Sequence, residues 1–326
     1  MRLPAPKVMI LFPSFQCNAR CVMCYIWIKQ RWTPQLSLEQ LKRIVADPLI
    51  RRSVEVVAIA GGEPTLRSDL VEMAQILVEA CGRLKTIDIP TNGLQTERVI
   101  DQIEQILALL ANTRVVLSVT ISVDGVGAVH EAIRGRQGVF PQVNQTLQEL
   151  RELQAIYPRF RLGMNTVISR HNAKREILQA MRGYAKSHGV GLNFTVGAIS
   201  EIGVESAAVR EQFEMAPEHK EEAIAFFEEL RERGGLDHIG PRYADFILHW
   251  LRTGERNLGC AFRNGKVFLV EPTGDAYLCG NYKDFKLGNL VESSLSEIWP
   301  IQKRLTHEMW QRRCETCVSN CFIGES

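Results

Sequence analysis

Apolar and polar positions along residues 7–197 follow two alternating periods, one typical of strands and one of helices. Apolar, β-branched runs predict six strands, at 7–12, 54–60, 84–89, 114–122, 161–168 and 190–196. Residues 54–60 are almost continuously apolar, as a strand buried on both faces of a parallel sheet must be. A 3.6-residue period predicts helices at 37–46, 69–81, 96–110 and 140–156, and one ending near 188.

Local signals mark the start of two of these helices. Ser37 is followed three residues later by Gln40, the spacing of a capping box, and Asp69 stands where an N-cap is expected. Strand–helix units in tandem predict a parallel α/β sheet with right-handed crossovers. Six units are too few for a closed eight-strand barrel. The predicted fold is therefore a curved, partial (β/α)6 barrel.

After residue 197 the pattern changes. The predicted elements are a loop at 200–214, helices at 217–234, 241–252 and 295–305, and a β-hairpin at 266–279. Pro272, Thr273 and Gly274 supply the turn chemistry of the hairpin. The sequence predicts a partial barrel at 1–199, a helical connector at 200–255 and a small cysteine-rich hairpin-plus-helix domain at 256–326.

The composition is that of an ordinary soluble enzyme, with 45% hydrophobic and 23% charged residues among 326. A net charge of +2 provides no general attraction for nucleic acid or membranes, and no apolar run is long enough to span a bilayer. The N-terminal residues lack the apolar stretch of an export signal. Nine cysteines in such a chain indicate metal ligation in a reducing compartment, so the cytoplasm is the expected location.

Cys17, Cys21 and Cys24 are spaced so that one tight loop can present three thiolates to one metal centre. Thiolates hold iron–sulfur clusters, and soft sulfur selects iron–sulfur, zinc or copper(I) over hard cations. Three sulfurs leave one iron of a [4Fe–4S] cube open to another ligand. A structural zinc site, which usually takes four ligands, is the main alternative. The loop follows the first predicted strand, at the end where parallel α/β sheets place their chemistry.

A glycine-rich turn, Gly61-Gly62-Glu63-Pro64, ends the second predicted strand. Glycines let the backbone approach a ligand closely. Exposed N–H and C=O groups at such a turn can bind a charged, amino-acid-like group. Taken alone, the turn could equally be an ordinary strand-to-helix loop.

These two motifs, with the aromatic Tyr25 directly after Cys24, resemble those of the radical S-adenosylmethionine enzymes over about residues 7–197. The resemblance implies that the three cysteines hold a [4Fe–4S] cluster whose open iron binds S-adenosylmethionine. It places Tyr25 near the adenine and the 61–64 turn at the methionine amino group. One-electron reduction of the cofactor then gives a 5′-deoxyadenosyl radical, which removes a hydrogen atom from the substrate.

The same resemblance implies further cofactor contacts. Ser122, at the end of the fourth strand, and Arg134 match a polar residue and an arginine that bind the ribose and carboxylate of the cofactor. Asn92, after the third strand, and Asn165, on the fifth, are further matches. Alternatively, Asn92 is a turn residue that tolerates left-handed geometry, and Asn165 is a buried amide with satisfied hydrogen bonds.

Five cysteines form a second set near the C-terminal end: Cys260, Cys279, Cys314, Cys317 and Cys321. A zinc ribbon is the structural alternative. The tail resembles the SPASM/twitch extension of radical S-adenosylmethionine enzymes, which carries auxiliary [4Fe–4S] clusters. Five cysteines are fewer than a full SPASM domain has, so one auxiliary cluster is expected.

Spacing does not choose among the last three cysteines of this set. By analogy with the twitch form, we expect Cys260, Cys279, Cys314 and Cys317 as ligands. Cys321 is then a spare thiol, an alternative ligand or a catalytic hydrogen-atom donor. Two other residues are expected to be structural: Cys81, at the end of an apolar helix, and His130, near Arg134.

A cluster ligated entirely by protein can accept one electron from a substrate radical. We therefore expect a radical oxidoreductase. Because the first predicted strand begins near residue 7, we expect no leader-binding module and hence the dehydrogenation of a small polar substrate, such as a sugar or aminocyclitol. The alternatives are a peptide cross-linking maturase, to which a separate protein delivers the peptide, and a redox-neutral epimerase. A non-catalytic iron–sulfur or zinc protein is the alternative of another class. A flavodoxin or ferredoxin is the expected reductant, and neither nucleic acid nor a membrane is an expected partner.

Overall fold

The structure is a computed structural model that describes residues 4–24, 26–30, 32–197, 211, 214–232, 241–312 and 314–319. The strands, in chain order, are β1 Val8–Leu11, β2 Val56–Ile59, β3 Thr86–Thr91, β4 Val116–Ser122, β5 Phe160–Ile168, β6 Gly191–Val196, β7 Val267–Val270, β8 Asp275–Tyr277 and β9 Lys286–Asn289. The helices are α1 Ile26–Lys29, α2 Leu38–Val45, α3 Pro48–Ser53, α4 Leu70–Ala80, α5 Thr96–Leu110, α6 Ala128–Arg134, α7 Phe140–Ile156, α8 Arg175–Ser187, α9 Pro217–Glu232, α10 Pro241–Thr253, α11 Leu295–Ile298 and α12 Gln302–Arg312.

The described strands form one sheet in the order β6-β5-β4-β3-β2-β1-β7-β8-β9. Strands β1 to β6 pair in parallel with their chain neighbours, which confirms the predicted partial barrel. Its edge at β1 is extended by β7, which runs parallel to β1 and places Val270 opposite Leu11. β8 and β9 continue the sheet in antiparallel fashion. The C-terminal hairpin is thus continuous with the barrel sheet, a pairing that the sequence did not reveal.

Helix ends follow local chemistry, with one correction. The capping box of α2 is confirmed, because the Gln40 N–H donates to Ser37 Oγ at 3.1 Å and the Ser37 N–H donates to Gln40 Oε1 at 2.8 Å. Asp69 precedes α4 but makes no side-chain capping bond. Its two carboxylate oxygens instead accept from the Arg67 guanidinium at 2.8 and 2.6 Å. A two-pronged, charge-assisted pair is stronger than a bond to a neutral backbone N–H.

The helix predicted at 295–305 is divided by a 3-10 turn at Trp299–Ile301. Pro300 lies in this turn and has no N–H to continue an α-helical hydrogen-bond series. The short helices α3 and α6 and the strand β9 were not predicted. α6 lies between β4 and α7 and contributes directly to the candidate site.

The main apolar core lies between the sheet and its helices, and all four residues of β1 are buried. A second apolar cluster packs α9 and α10 against β6. Its centre is a group of edge-to-face rings, Phe194, Phe226 and Phe227, with centroids 5.3–5.7 Å apart. The Tyr243 hydroxyl closes this contact by donating to the Phe194 carbonyl at 2.7 Å.

Two polar contacts attach the C-terminal elements to the barrel. The buried Asp47 carboxylate caps α3 and accepts from the N–H of Ser296 at 2.8 Å and from its hydroxyl at 3.0 Å. The Trp299 indole donates to the Pro4 carbonyl at 2.9 Å, and its ring meets Phe268 of β7 edge-on. These contacts hold β7 beside β1.

Candidate metal centres

The loop bearing Cys17, Cys21 and Cys24 leaves the carboxyl end of β1 and is bound to the end of α6. The Arg20 N–H donates to the Arg134 carbonyl and the Val22 N–H to the Ile133 carbonyl, both at 2.9 Å. The α6 helix ends at Gly135, whose φ is +63°. A Cβ at Gly135 would lie 2.2 Å from the Arg20 carbonyl oxygen, so a glycine is required for this approach.

The Gly61-Gly62-Glu63-Pro64 turn lies directly against the same loop. The Gly62 N–H donates to the Ser14 carbonyl at 2.9 Å, and the Glu63 N–H donates to the Gln16 carbonyl at 2.7 Å. These two amides are therefore bound within the protein, which corrects the expectation that the turn's N–H groups are exposed to a ligand. The backbones are so close that a Cβ at Gly62 would lie 2.0 Å from the Gln16 carbonyl oxygen.

The Glu63 side chain links the ends of β2 and β3. Its buried carboxylate accepts from the Thr65 hydroxyl at 2.7 Å, the Thr91 hydroxyl at 2.9 Å and the Asn92 N–H at 2.7 Å. Burial raises the pKa of Glu63, and these hydrogen bonds oppose that shift because they stabilise the charged form. Glu63 thus fixes the position of Asn92.

Asn92 and Arg134 direct N–H groups at the cysteine sulfurs. The Asn92 amide lies 3.8 Å from Cys17 Sγ and donates to Asn18 Oδ1 at 2.7 Å. The Arg134 guanidinium lies 3.7 Å from Cys21 Sγ. Burial raises the pKa of Cys21, and the charge of Arg134 opposes this rise. Since metal ligands must be thiolates, donors aimed at sulfur suit a metal-binding role.

Arg134 is held by a buried carboxylate that the sequence pattern did not reveal. Its guanidinium pairs with the fully buried Asp124 at 2.8 Å, and the other Asp124 oxygen accepts from the Val167 N–H at 2.8 Å. His130 is buried beside them, and its Nδ1 accepts from the Asp124 N–H at 3.2 Å. Burial and the nearby Arg134 lower the pKa of His130 to about 3, so this ring is neutral. The position of Asp124, two residues after Ser122, is the sequence signal that could have indicated it.

The other predicted cofactor residues that the structure describes lie at or near the carboxyl ends of their strands. Ser122 ends β4 and is half-buried opposite Asn165 of β5. The side-chain Oδ1 of Asn165 accepts from the Asn193 side-chain amide at 3.0 Å and from the Thr195 hydroxyl at 2.7 Å, in keeping with a satisfied amide. The side-chain Oδ1 of Asn92 accepts from the Leu94 N–H at 3.0 Å, so Asn92 is also a turn residue. Tyr25 lies outside the described residues.

The second cysteine set is drawn together by Asn281 and Arg256. The Asn281 N–H lies 3.4 Å from Cys279 Sγ, and its side-chain amide lies 3.7 Å from Cys317 Sγ. The Arg256 guanidinium donates to the carbonyls of Cys317 at 3.1 Å and Gly259 at 2.6 Å. It thereby joins the segment before Cys260 to the segment that carries Cys314 and Cys317.

Four cysteines of this set lie close enough for their charges to affect one another's pKa. Burial raises the pKa of Cys279, and the nearby Cys317 and Cys260 add to the rise. Burial raises the pKa of Cys314 to about 11, again with contributions from Cys260 and Cys317. Cys321 lies outside the described residues. No three Cys, His, Asp or Glu side chains of the described residues are grouped as ligands of one metal ion.

The two sets lie at opposite ends of the strands. The first set follows the carboxyl end of β1. β8 runs antiparallel to β7, with Tyr277 opposite Leu269, so Cys279, two residues later, lies near the amino end of β7. Since β7 is parallel to β1, this is also the amino end of β1. The sequence predicted both sets but not this arrangement, which depends on the pairing of β7 with β1.

Two further expectations concern residues and surfaces away from the metal centres. Cys81 is buried in the main core, as expected for a cysteine that packs as a small apolar residue. Within the part of the chain that the structure describes, every helix is too short or too polar to cross a bilayer.

Comparison with protein families gives two matches. The model of the radical SAM superfamily matches residues 11–182, and that of SPASM, an iron–sulfur cluster-binding domain, matches residues 260–321. The first match covers the predicted barrel from β1 into α8. The second includes all five C-terminal cysteines.

Individual proteins are similar over most or part of the chain. Mycofactocin maturase MftC of Mycobacterium ulcerans is 27% identical over 326 residues, covering 97% of this chain and 81% of that protein. The sporulation killing factor maturation protein SkfB of Bacillus subtilis is 30% identical over 136 residues, covering 42% of this chain and 30% of that protein. Among solved structures, native anSMEcpe with bound AdoMet and the Cp18Cys peptide has a TM-score of 0.65 at 22% identity. The match covers 93% of this chain and 82% of that one.

Proposed function

Because the chain belongs to the radical SAM superfamily and carries a SPASM iron–sulfur domain, we propose that it is a maturase that modifies a peptide by radical oxidation. The observation that carries the proposal is the presence of two cysteine sets on segments attached to one sheet, each set with N–H donors directed at its sulfurs. Radical SAM domains bind a [4Fe–4S] cluster and S-adenosylmethionine, and SPASM domains bind auxiliary iron–sulfur clusters.

The chain's two cysteine sets would each hold one iron–sulfur cluster. Cys17, Cys21 and Cys24 would hold the first cluster, and Cys260, Cys279, Cys314 and Cys317 would hold one auxiliary cluster. When bound, the first cluster with S-adenosylmethionine supplies a 5′-deoxyadenosyl radical, and the auxiliary cluster supplies an electron acceptor.

Protein groups around the first set would orient the cofactor and exclude water. The amides of Gly62 and Glu63 fix the cysteine loop, which leaves the turn's carbonyls for the methionine amino group. Arg134 lies beside Cys21 with its Nε–H buried and without a hydrogen-bond partner. A buried donor of this kind is costly unless a ligand satisfies it, and a cofactor carboxylate would do so. Ser122 and Asn92, at the ends of β4 and β3, would line the same cofactor site, with Tyr25 against the adenine.

Peptide modification is better supported than the dehydrogenation of a small sugar or aminocyclitol. The relative that spans most of the chain is named a maturase, and SkfB is named a maturation protein. A protein of the same fold binds AdoMet together with a peptide. The substrate would therefore be a peptide, with a flavodoxin or ferredoxin as the source of electrons.

The first experiment tests radical generation. The chain is reconstituted anaerobically with iron and sulfide, reduced, and mixed with S-adenosylmethionine, and 5′-deoxyadenosine is quantified by mass spectrometry. We expect 5′-deoxyadenosine from the wild type and from Cys81→Ala, a buried cysteine outside both sets. We expect none from Cys24→Ala. A non-catalytic iron–sulfur protein would give none from any variant.

The second experiment tests the substrate class and the reaction. Peptides encoded by neighbouring genes are added, and mass spectrometry follows the peptide in deuterated water. Loss of two hydrogens from the peptide, in proportion to the 5′-deoxyadenosine formed, is the expected result. Retention of solvent deuterium at carbon without a change in oxidation state would instead indicate an epimerase. Conversion of sugars or aminocyclitols, but of no peptide, would contradict the maturase proposal.

A further inference from the structure

Asn281 is the residue through which the two halves of the auxiliary set meet. It follows Cys279 by two residues, and its backbone N–H lies 3.4 Å from Cys279 Sγ. Its side-chain amide reaches across to Cys317 Sγ, 36 residues farther along the chain, at 3.7 Å. One half-buried residue thus directs donors at sulfurs from both ligand-bearing segments.

We propose that Asn281 raises the reduction potential of the auxiliary centre and so makes it a better electron acceptor. An added electron increases the negative charge on a cluster and on its ligand sulfurs. N–H groups that point at those sulfurs stabilise the reduced state more than the oxidised state. Hydrogen bonds to sulfur and nearby charge are known determinants of iron–sulfur reduction potentials. The Asn281 donors therefore raise the potential of the centre.

Arg256 holds in place the segment that carries Cys317 and so supports its contact with Asn281. Its guanidinium donates to the carbonyls of Cys317 at 3.1 Å and Ser319 at 2.6 Å, and its backbone N–H donates to the Glu315 carbonyl at 2.6 Å. The segment that presents Cys317 to Asn281 is held at three points by this single residue. The guanidinium also places a positive charge beside Cys317, where it stabilises the negative charge that an added electron brings to the ligand sulfurs. Position and charge therefore act in the same direction.

This inference rests on the proposed function, in which the auxiliary centre takes up an electron. A peptide C–H bond gives its hydrogen atom to the 5′-deoxyadenosyl radical, and 5′-deoxyadenosine results. The carbon radical then loses one electron to the oxidised auxiliary cluster and one proton to water. The flavodoxin or ferredoxin partner gives one electron to the first cluster at the start of the cycle, and its oxidised form takes one electron back from the reduced auxiliary cluster. A higher potential favours the electron transfer from the substrate radical.

The test is a potentiometric titration of the auxiliary centre, followed by electron paramagnetic resonance. Full-length protein with Cys17→Ala, Cys21→Ala and Cys24→Ala is used, so that the signal comes from the auxiliary centre alone. Asn281→Leu removes the side-chain donor at similar volume, and Asn281→Asp replaces it with an acceptor of similar shape. Asn257→Leu is the matched control, because Asn257 is exposed in the same region of the chain.

We expect midpoint potentials that are more negative than the parent's in both Asn281 variants, more so for Asn281→Asp, and unchanged in Asn257→Leu. Iron content should stay at the parent's value. An unchanged or more positive potential in the Asn281 variants would overturn the proposal. So would loss of the auxiliary iron from both, because the amide would then hold the ligand segment without tuning the centre.

In the holoenzyme, the Asn281 variants should form 5′-deoxyadenosine at the wild-type rate but convert less peptide per 5′-deoxyadenosine. The proposed function fails separately, if the wild type forms 5′-deoxyadenosine without oxidising any peptide. The potentials require no substrate, so the two failures are distinguishable.

Discussion

Gly62→Ala tests how closely the glycine turn must approach the cysteine loop. In the structure, a Cβ on Gly62 would lie 2.0 Å from the Gln16 carbonyl oxygen and 2.7 Å from the Phe15 carbonyl carbon. Real Cβ contacts essentially never fall below 3.0 Å, so the backbones must separate by at least 1.0 Å. No flexible side chain can absorb this change, because the contacted atoms belong to the backbone.

The separation has a cost in stability and a larger one in activity. It stretches the hydrogen bonds from Gly62 to Ser14, 2.9 Å, and from Glu63 to Gln16, 2.7 Å. Overpacking of this kind destabilises folded proteins by about 1–3 kcal/mol. The loop carries Cys17, so the same movement displaces the first ligand of the cluster. A misplacement of ~1 Å at a reacting centre can lower the rate about 100-fold.

Three measurements on reconstituted protein separate these effects: urea denaturation, the first-cluster signal, and the rate of 5′-deoxyadenosine formation. Gly62→Ala should lower the rate at least about 100-fold and weaken the first-cluster signal, while the auxiliary cluster stays loaded. The matched control is Gly183→Ala, at an exposed position in α8 with no atom within 4 Å of the added carbon. This change should be neutral or stabilise by up to ~1 kcal/mol. Wild-type iron loading and turnover in Gly62→Ala would refute the reasoning.

Three further predictions concern polar groups near the two cysteine sets. Asp124→Asn leaves the Arg134 charge buried without its partner and should destabilise by about 3–5 kcal/mol in urea, whereas Asp124→Asn with Arg134→Met should lose less. The pKa of His130 is about 3 in the folded protein, whereas an unfolded histidine binds a proton below pH ~6.5. Because only the unfolded state takes up this proton, the free energy of unfolding should fall by about 1.4 kcal/mol per pH unit as the pH drops from ~6 to ~4. Urea titrations of His130→Asn apoprotein should lack this slope; an unchanged slope would contradict the assignment. Arg256→Lys keeps the charge but loses the forked contacts, so iron analysis should show loss of auxiliary iron alone.

Much of the fold follows from local sequence. Helix α5 begins and ends where the 3.6-residue period predicts, at Thr96 and Leu110, and the same holds for α7 at Phe140 and Ile156. The six barrel strands and their order follow from alternating apolar runs, because parallel strands joined by helices have few allowed arrangements. The Asp69 cap was wrong because an arginine two residues away competes for the carboxylate, and period alone does not reveal such a pair.

The candidate site shows the same division. Spacing was enough to propose Cys17, Cys21 and Cys24 as candidate ligands, because three cysteines in one loop are a local feature of the chain. It did not reveal that Asp124 pairs with Arg134, or that His130 is neutral, because both depend on burial between β4, β5 and α6. That the turn at 61–64 contacts the cofactor stays a prediction. The structure shows that its amides face the cysteine loop, since Ser14 and Gln16 offer carbonyls there.

The sequence by itself determined the class of chemistry: thiolate ligands at cluster spacing, a glycine turn one unit later, and a second cysteine set near the C-terminal end. The tertiary structure decided where these parts meet. Pairing of β7 with β1 joins the hairpin to the barrel, and it places Cys279 at the amino ends of these strands, whereas the first set follows the carboxyl end of β1. The contact from Asn281 to Cys317 likewise joins segments 36 residues apart. Such contacts depend on which surfaces pack together, and packing follows from the whole chain's burial of apolar area rather than from any local period.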